Sequence, residues 1–137
     1  MKVHELRPKA GDTEKITINM GFVDLGQIDL LVQEGFYSNR TDFIRTAIRS
    51  HLATHAEVVK QAAARKTLVL GLQHFSRRDL EAVQAAGQQL HIHVLGLARI
   101  AEDVPEQLAR ATIASLVVLG ALQASPAVRA AIADRIH

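Results

Sequence analysis

The chain has 137 residues, 48% of them apolar, no cysteine and a formal net charge of +2. That apolar share belongs to a globular protein and not a disordered tail, and the missing thiols exclude disulfides, thiol catalysis and cysteine-rich zinc sites. The opening stretch MKVHELRPKAGDTEK lacks the apolar core of a signal peptide, and the longest apolar run, Ile113–Leu122, is far shorter than the roughly 20 residues that cross a bilayer, so a cytoplasmic protein with no membrane partner is expected.

Charge is a weak guide to partners. Residues 1–55 balance at seven Lys/Arg against seven Asp/Glu, while the whole-chain pI of 9.3 just meets the basic level of about 9 common among nucleic-acid binders. Placement matters more than the total. Lys2, Arg7, Lys9 and Lys15 precede or begin the first ordered element, whereas Asp24, Asp29 and Glu34 follow it. Four of the five aromatics (Phe22, Phe36, Tyr37, Phe43) fall before residue 55, which points to two units with different packing.

Residues 1–13 contain Pro8 and Gly11, show no periodicity and read as a flexible arm. In Lys15-Ile16-Thr17-Ile18-Asn19-Met20 apolar and polar residues alternate, the pattern of a half-buried strand. Ile16, Ile18 and Met20 would face a core, and Lys15, Thr17 and Asn19 would face outward. A single strand has no pairing partner inside its own segment, and its natural partner is the same strand of a second copy. Gly21 breaks the strand. Phe22, Leu25, Ile28, Leu31 and Val32 then recur at helical spacing, and Gly35 fits the C-terminal cap. Ser38 is the expected N-cap of a second helix whose apolar stripe is Phe43, Ile44, Ala47, Ile48 and Leu52, running on to about Arg65.

Beyond Arg65 the triplet Val-Leu-Gly recurs at 69–71, 94–96 and 118–120, at spacings of 25 and 24 residues. Each copy precedes a polar, helix-compatible stretch: SRRDLEAVQAA, EDVPEQLARATIA and SPAVRAAIADR. One strand and one helix per 20–29 residues is the pattern of a short solenoid, here with three parallel strands and helices along one side. An ordinary two-layer β/α domain is the alternative. The fold class expected is α+β: an arm (1–13), an intertwined dimeric unit (14–64) and a small strand-helix repeat unit (65–137).

The ordered combination over residues 15–52 of alternating strand, two helices, the Gly-Phe-Tyr-Ser turn and the run SNRTDFIRTAI resembles the ribbon-helix-helix family of repressors (the MetJ, Arc and CopG class). The resemblance implies a homodimer whose antiparallel two-stranded ribbon enters the major groove of double-stranded DNA, with Lys15, Thr17 and Asn19 on the base-reading positions. Those residue types can read base edges, since Lys reaches guanine, Asn pairs bidentately with adenine, and Thr bonds either kind of edge or touches a thymine methyl. It also implies a phosphate contact at Ser38, Asn39 and Arg40, where helix N-terminal amides attract an anion, with Lys2, Arg7 and Lys9 able to follow a neighbouring phosphate. Ile16, Ile18, Phe22, Leu25, Ile28, Phe43, Ile44 and Ile48 form the expected dimer core, since a unit of about 50 residues has too little apolar area to stand alone.

His91-Ile92-His93 is similar to the His-x-His strand of the nickel-responsive repressors in the same family. The likeness stops there: no cysteine supplies a further ligand, and the repeat would stack Lys66, His91 and Ser115 in one column and Leu68, His93 and Val117 in another. No metal and no other cofactor is expected. Nothing in the sequence has the form of a nucleophile elbow, a Gly-rich phosphate loop or a carboxylate pair, so no enzyme is expected. The reading is a sequence-specific transcriptional repressor, with the C-terminal unit joining copies into a dimer or a dimer of dimers. The alternative is an antitoxin, or a metal- or ligand-responsive regulator, whose C-terminal unit binds the toxin or effector.

Overall fold

The computed structural model describes residues 12–137. Most of the expected arm, with Lys2, Arg7 and Lys9, lies outside them. The chain divides into two compact units, Met1–Val58 and Val59–His137, with the division inside a helix.

In the first unit, residues 13–21 carry no regular secondary structure. The strand expected over 15–20 is therefore not formed in the single chain, and Ile16 and Ile18, expected to face a core, are 70% and 62% exposed. The physical reason is that a strand needs a ladder partner, and this segment has none within one copy. Helix α1 (Phe22–Gln33) follows. Its end is a Schellman turn: Gly35, at φ 86°, donates to the Val32 carbonyl and Phe36 to the Leu31 carbonyl.

Helix α2 (Arg40–Thr54) starts one residue later than expected. Asn39, not Ser38, is its N-cap, because Asn39 has Asp42 three residues on while Ser38 has Thr41. The Asn39 side chain accepts from the Asp42 amide at 2.8 Å, and the Asp42 carboxylate accepts from the Ser38 amide at 2.9 Å. The helix also does not run unbroken to Arg65. The Thr54 hydroxyl donates to the His51 carbonyl at 2.6 Å, the acceptor that a continuing helix would offer the His55 amide. His55 bonds Leu52 instead, and a new helix, α3 (Ala56–Arg65), begins.

The second unit is a three-stranded parallel sheet in the order β1 (Val69–Phe75), β2 (Leu90–Ile100), β3 (Ile113–Gln123). Helices α4 (Arg77–Ala85) and α5 (Glu106–Thr112) make the crossovers, and α6 (Pro126–Ala131) follows β3. Ser76 caps α4 in a full capping box with Asp79, and Ser125 caps α6 with Pro126 in its first turn. The three Val-Leu-Gly triplets lie in register across the sheet: Val69, Val94 and Val118; Leu70, Leu95 and Leu119; Gly71, Gly96 and Gly120.

Alternation along the strands splits the sheet into two faces. Ile92, Val94, Ala98, Ile100 and Leu116 point into a buried core closed by Leu80 of α4, Leu108 of α5 and Val128 of α6. The other face presents His91, His93, Leu95, Leu97 and Arg99 of β2 with their row neighbours. The column predicted for Lys66 is corrected by the strand start. β1 begins at Val69, so Lys66 and Leu68 are outside the ladder, while His91–Ser115 and His93–Val117 do pair. At the β3 edge, Ile136 bridges Leu116, and the His137 amide donates to the Leu116 carbonyl at 2.8 Å.

Candidate nucleic-acid interface

Lys15, Thr17 and Asn19 are all exposed, ahead of α1. The apolar residues interleaved with them are exposed too, and Phe22, the first residue of α1, is 91% exposed. Among the expected dimer-core residues only Ile28 is buried within one chain; Leu25, Phe43 and Ile44 are half-buried, and Ile48 is exposed. The first unit thus shows water a row of large apolar side chains that a globular protein ordinarily covers.

The turn between α1 and α2 brings Ser38, Asn39 and Arg40 together, but each is already engaged. Arg40 makes a bidentate pair with Asp29 of α1, both bonds at 2.8 Å. The hydrogen bond from Arg40 holds the Asp29 carboxyl below the usual carboxylate range, and the same bond raises the Arg40 guanidinium further. Asn39 spends its side-chain oxygen on the cap, and Ser38 contributes its backbone amide to Asp42. Tyr37 stacks edge-on against Phe43 at 5.0 Å, fixing the entry of the chain into α2. Two residues that shape this corner were missed from the sequence. Asp42 was legible, since Asn39-x-x-Asp42 is a capping pattern; Asp29, eleven residues from Arg40 on another helix, left no local signal.

Residues 11–129 match the model of the Ribbon-Helix-Helix transcriptional regulator family. The chain belongs to that family. The match continues far past the 15–52 stretch and takes in all three strands of the second unit. It is a family of transcriptional regulators, not an enzyme class. No curated protein and no solved structure matches the chain. No helix among the described residues is long and apolar enough to cross a membrane.

His91 and His93 of the regulator's second unit are held by the protein itself. His91 Nδ1 lies 2.8 Å from the Ser115 hydroxyl. His93 Nδ1 lies 2.9 Å from the Thr67 hydroxyl and 3.2 Å from the Lys66 carbonyl. His51 and His55 meet edge-to-face with ring centroids 5.1 Å apart. Among the described residues no three His, Asp or Glu side chains converge as a metal site would require. At the carboxyl ends of the strands a cleft of about 580 Å³ is lined by His74, Arg99, Glu102, Gln123 and Arg129 over an apolar floor that includes Ile100 and Leu122. Arg99 donates to the Gln123 side chain at 2.9 Å there, in the row that also holds His74.

Proposed function

We propose that this chain is a sequence-specific DNA-binding repressor acting as a homodimer, in which residues 15–20 of two copies pair as an antiparallel ribbon in the major groove. Lys15, Thr17 and Asn19 read base edges. The first-turn amides of α2 near Arg40 and Thr41 meet a phosphate, with the Arg40 charge partly offset by Asp29. Ile16, Ile18, Phe22, Leu25, Ile28, Phe43, Ile44 and Ile48 form the shared core, so that folding of residues 14–64 and dimerisation are one event. The observation behind this reading is the exposed alternation of 15–20 leading into an exposed Phe22, in a chain of the ribbon-helix-helix regulator family. Residues 65–137 continue as one short strand-helix stack that joins copies together.

The deciding experiment is fluorescence anisotropy on DNA from upstream of the chain's own gene, across a salt series, with wild type and the double variant Thr17→Ala/Asn19→Ala. Tight, salt-sensitive binding that loses its preference over random DNA in the variant is expected. Equal curves for the two proteins would remove the ribbon as the reading element.

A second reading, regulation by a small effector, is favoured by the strand-end cleft. With Arg99, Arg129 and His74 against the single acid Glu102, it suits an anionic ligand. Its test is whether small phosphates or carboxylates raise the unfolding temperature of wild type and not of Arg129→Ala.

A further inference from the structure

Among the described residues of the second unit, the helices pack on one face of the sheet. On the other, two rows run across all three strands: Leu70–Leu95–Leu119 and Leu72–Leu97–Ala121. Leu70, Leu72 and Leu119 on the outer strands are 75%, 49% and 50% exposed, whereas on the central strand Leu95 is half-buried and Leu97 is buried, and no charged residue stands in either row. A polar row bounds the patch at the strand ends, His74–Arg99–Gln123, and His91–Ser115 lies towards the other end beyond His93–Val117. An apolar sheet face of this kind ordinarily packs on a second layer.

We propose that this leucine face packs against the same face of the second copy within the DNA-binding dimer, forming a six-stranded sandwich. The inference rests on the homodimer reading above, and patch size argues for this occupant. Three strands about 4.8 Å apart and two rows about 6.7 Å apart give a patch of roughly 200 Å² per copy. Two such faces bury roughly a third of what a stable free-standing complex needs. An untethered partner would therefore not stay bound, whereas a copy already held by the ribbon dimer arrives at high effective concentration. Self-pairing also needs a patch that tolerates its own image, and two rows without charged side chains meet themselves without repulsion, the Arg99 of the bounding row being hydrogen-bonded to Gln123. A two-fold axis along the strands sets Leu72 of each copy over Ala121 of the other, large against small, with Leu95 at the centre.

The cysteine-free chain allows a direct test by single-cysteine variants and a short bismaleimide cross-linker, on the full-length protein. Leu95→Cys is expected to give covalent dimer in a yield unchanged on tenfold dilution, while Gln84→Cys on the helix side gives none. Adding Leu70→Glu and Leu119→Glu, both at exposed positions, is expected to cut the Leu95→Cys yield at least tenfold with the circular dichroism unchanged. Thr17→Cys reports the ribbon separately. If Thr17→Cys cross-links and Leu95→Cys does not, the sandwich is wrong and the ribbon dimer stands. If neither cross-links, the dimer reading falls and the sandwich with it. A Leu95→Cys yield that drops in proportion to dilution, or that appears without the Thr17→Cys product, would place the contact outside the ribbon dimer and overturn the proposal.

Discussion

A Cβ atom placed on Gly96 would lie 2.2 Å from the carbonyl oxygen of Gly71 on the neighbouring strand. The relation repeats one strand further, where a Cβ on Gly120 would lie 2.0 Å from the Gly96 carbonyl. Each glycine also sits at positive φ: 127° for Gly71, 141° for Gly96 and 120° for Gly120. Gly71 shares the backbone but not the clash, since nothing lies within 4 Å of its Cβ position. Gly71→Ala is therefore expected to cost about 1–3 kcal/mol from backbone strain alone. Gly96→Ala and Gly120→Ala add a collision with backbone and are expected to cost more than about 4 kcal/mol or to prevent folding of the second unit. Urea unfolding of the three variants checks this, and equal losses at all three would remove the steric part of the account.

Two neighbours on α4 separate core from surface. Leu80 is fully buried in the core between sheet and helices, whereas Glu81 is exposed and only 3.8 Å from Arg77 as an ion pair. Leu80→Ala is expected to cost about 2–5 kcal/mol through the lost contacts and the cavity left behind. Glu81→Ala is expected to stay within about 0.5 kcal/mol. Chemical denaturation followed by circular dichroism measures both, and comparable losses would contradict the assignment of α4 faces.

The Asp29–Arg40 pair and the Ser76–Asp79 capping box carry a pH dependence of one sign. Asp29 is lowered by the hydrogen bond from Arg40, and Asp79 by the backbone and side-chain hydrogen bonds of Ser76. A carboxylate lowered in the folded state stabilises fully above its unfolded pKa near 3.9 and loses that contribution as pH falls through the lower folded value. The unfolding temperature is thus expected to be flat from pH 7 to about 5 and to drop below about 4, less steeply in Asp29→Asn and Asp79→Asn. Wild-type and variant profiles that run parallel between pH 2 and 5 would show that neither group contributes.

The apolar residues that one copy leaves open are expected to be needed for assembly. Ile18→Asp and Phe22→Ser change side chains that are 62% and 91% exposed in a single chain, so their cost inside that chain is small. In the proposed homodimer they sit in the shared core, and burying an unpaired carboxylate there is expected to abolish the dimer. Analytical ultracentrifugation should show a dimer for wild type and a monomer for the variants, with the cooperative unfolding of the second unit retained. Dimeric Ile18→Asp would place the dimer contact elsewhere in the chain.

Where the signal was local, it was readable. The spacing of Phe22, Leu25 and Ile28 announced α1, Gly35 its end, and the Val-Leu-Gly period the register of all three strands, because helical turns, left-handed caps and repeats depend on residues close in sequence. The errors came where a neighbour decided the outcome. Ser38 and Asn39 are equally good caps in isolation, and only the position of Asp42 selects Asn39. The break at His55 comes from the Thr54 hydroxyl competing for one carbonyl, which a hydrophobic stripe does not register.

By itself, then, the chain's sequence determined the family, the pairing of the repeats and the elements from Phe22 onward apart from the break at His55, all of which rest on periodicity and short-range capping, whereas the strand expected over 15–20 is not formed in the single chain. The tertiary structure alone decided that Arg40 is spent on Asp29, that glycine carbonyls occupy the space beside Gly96 and Gly120, and that Leu70, Leu72 and Leu119 stay open while the opposite face is buried. Each of these depends on which distant residues meet in space, and a one-dimensional pattern holds no distance between Asp29 and Arg40 or between one glycine and the next strand's carbonyl.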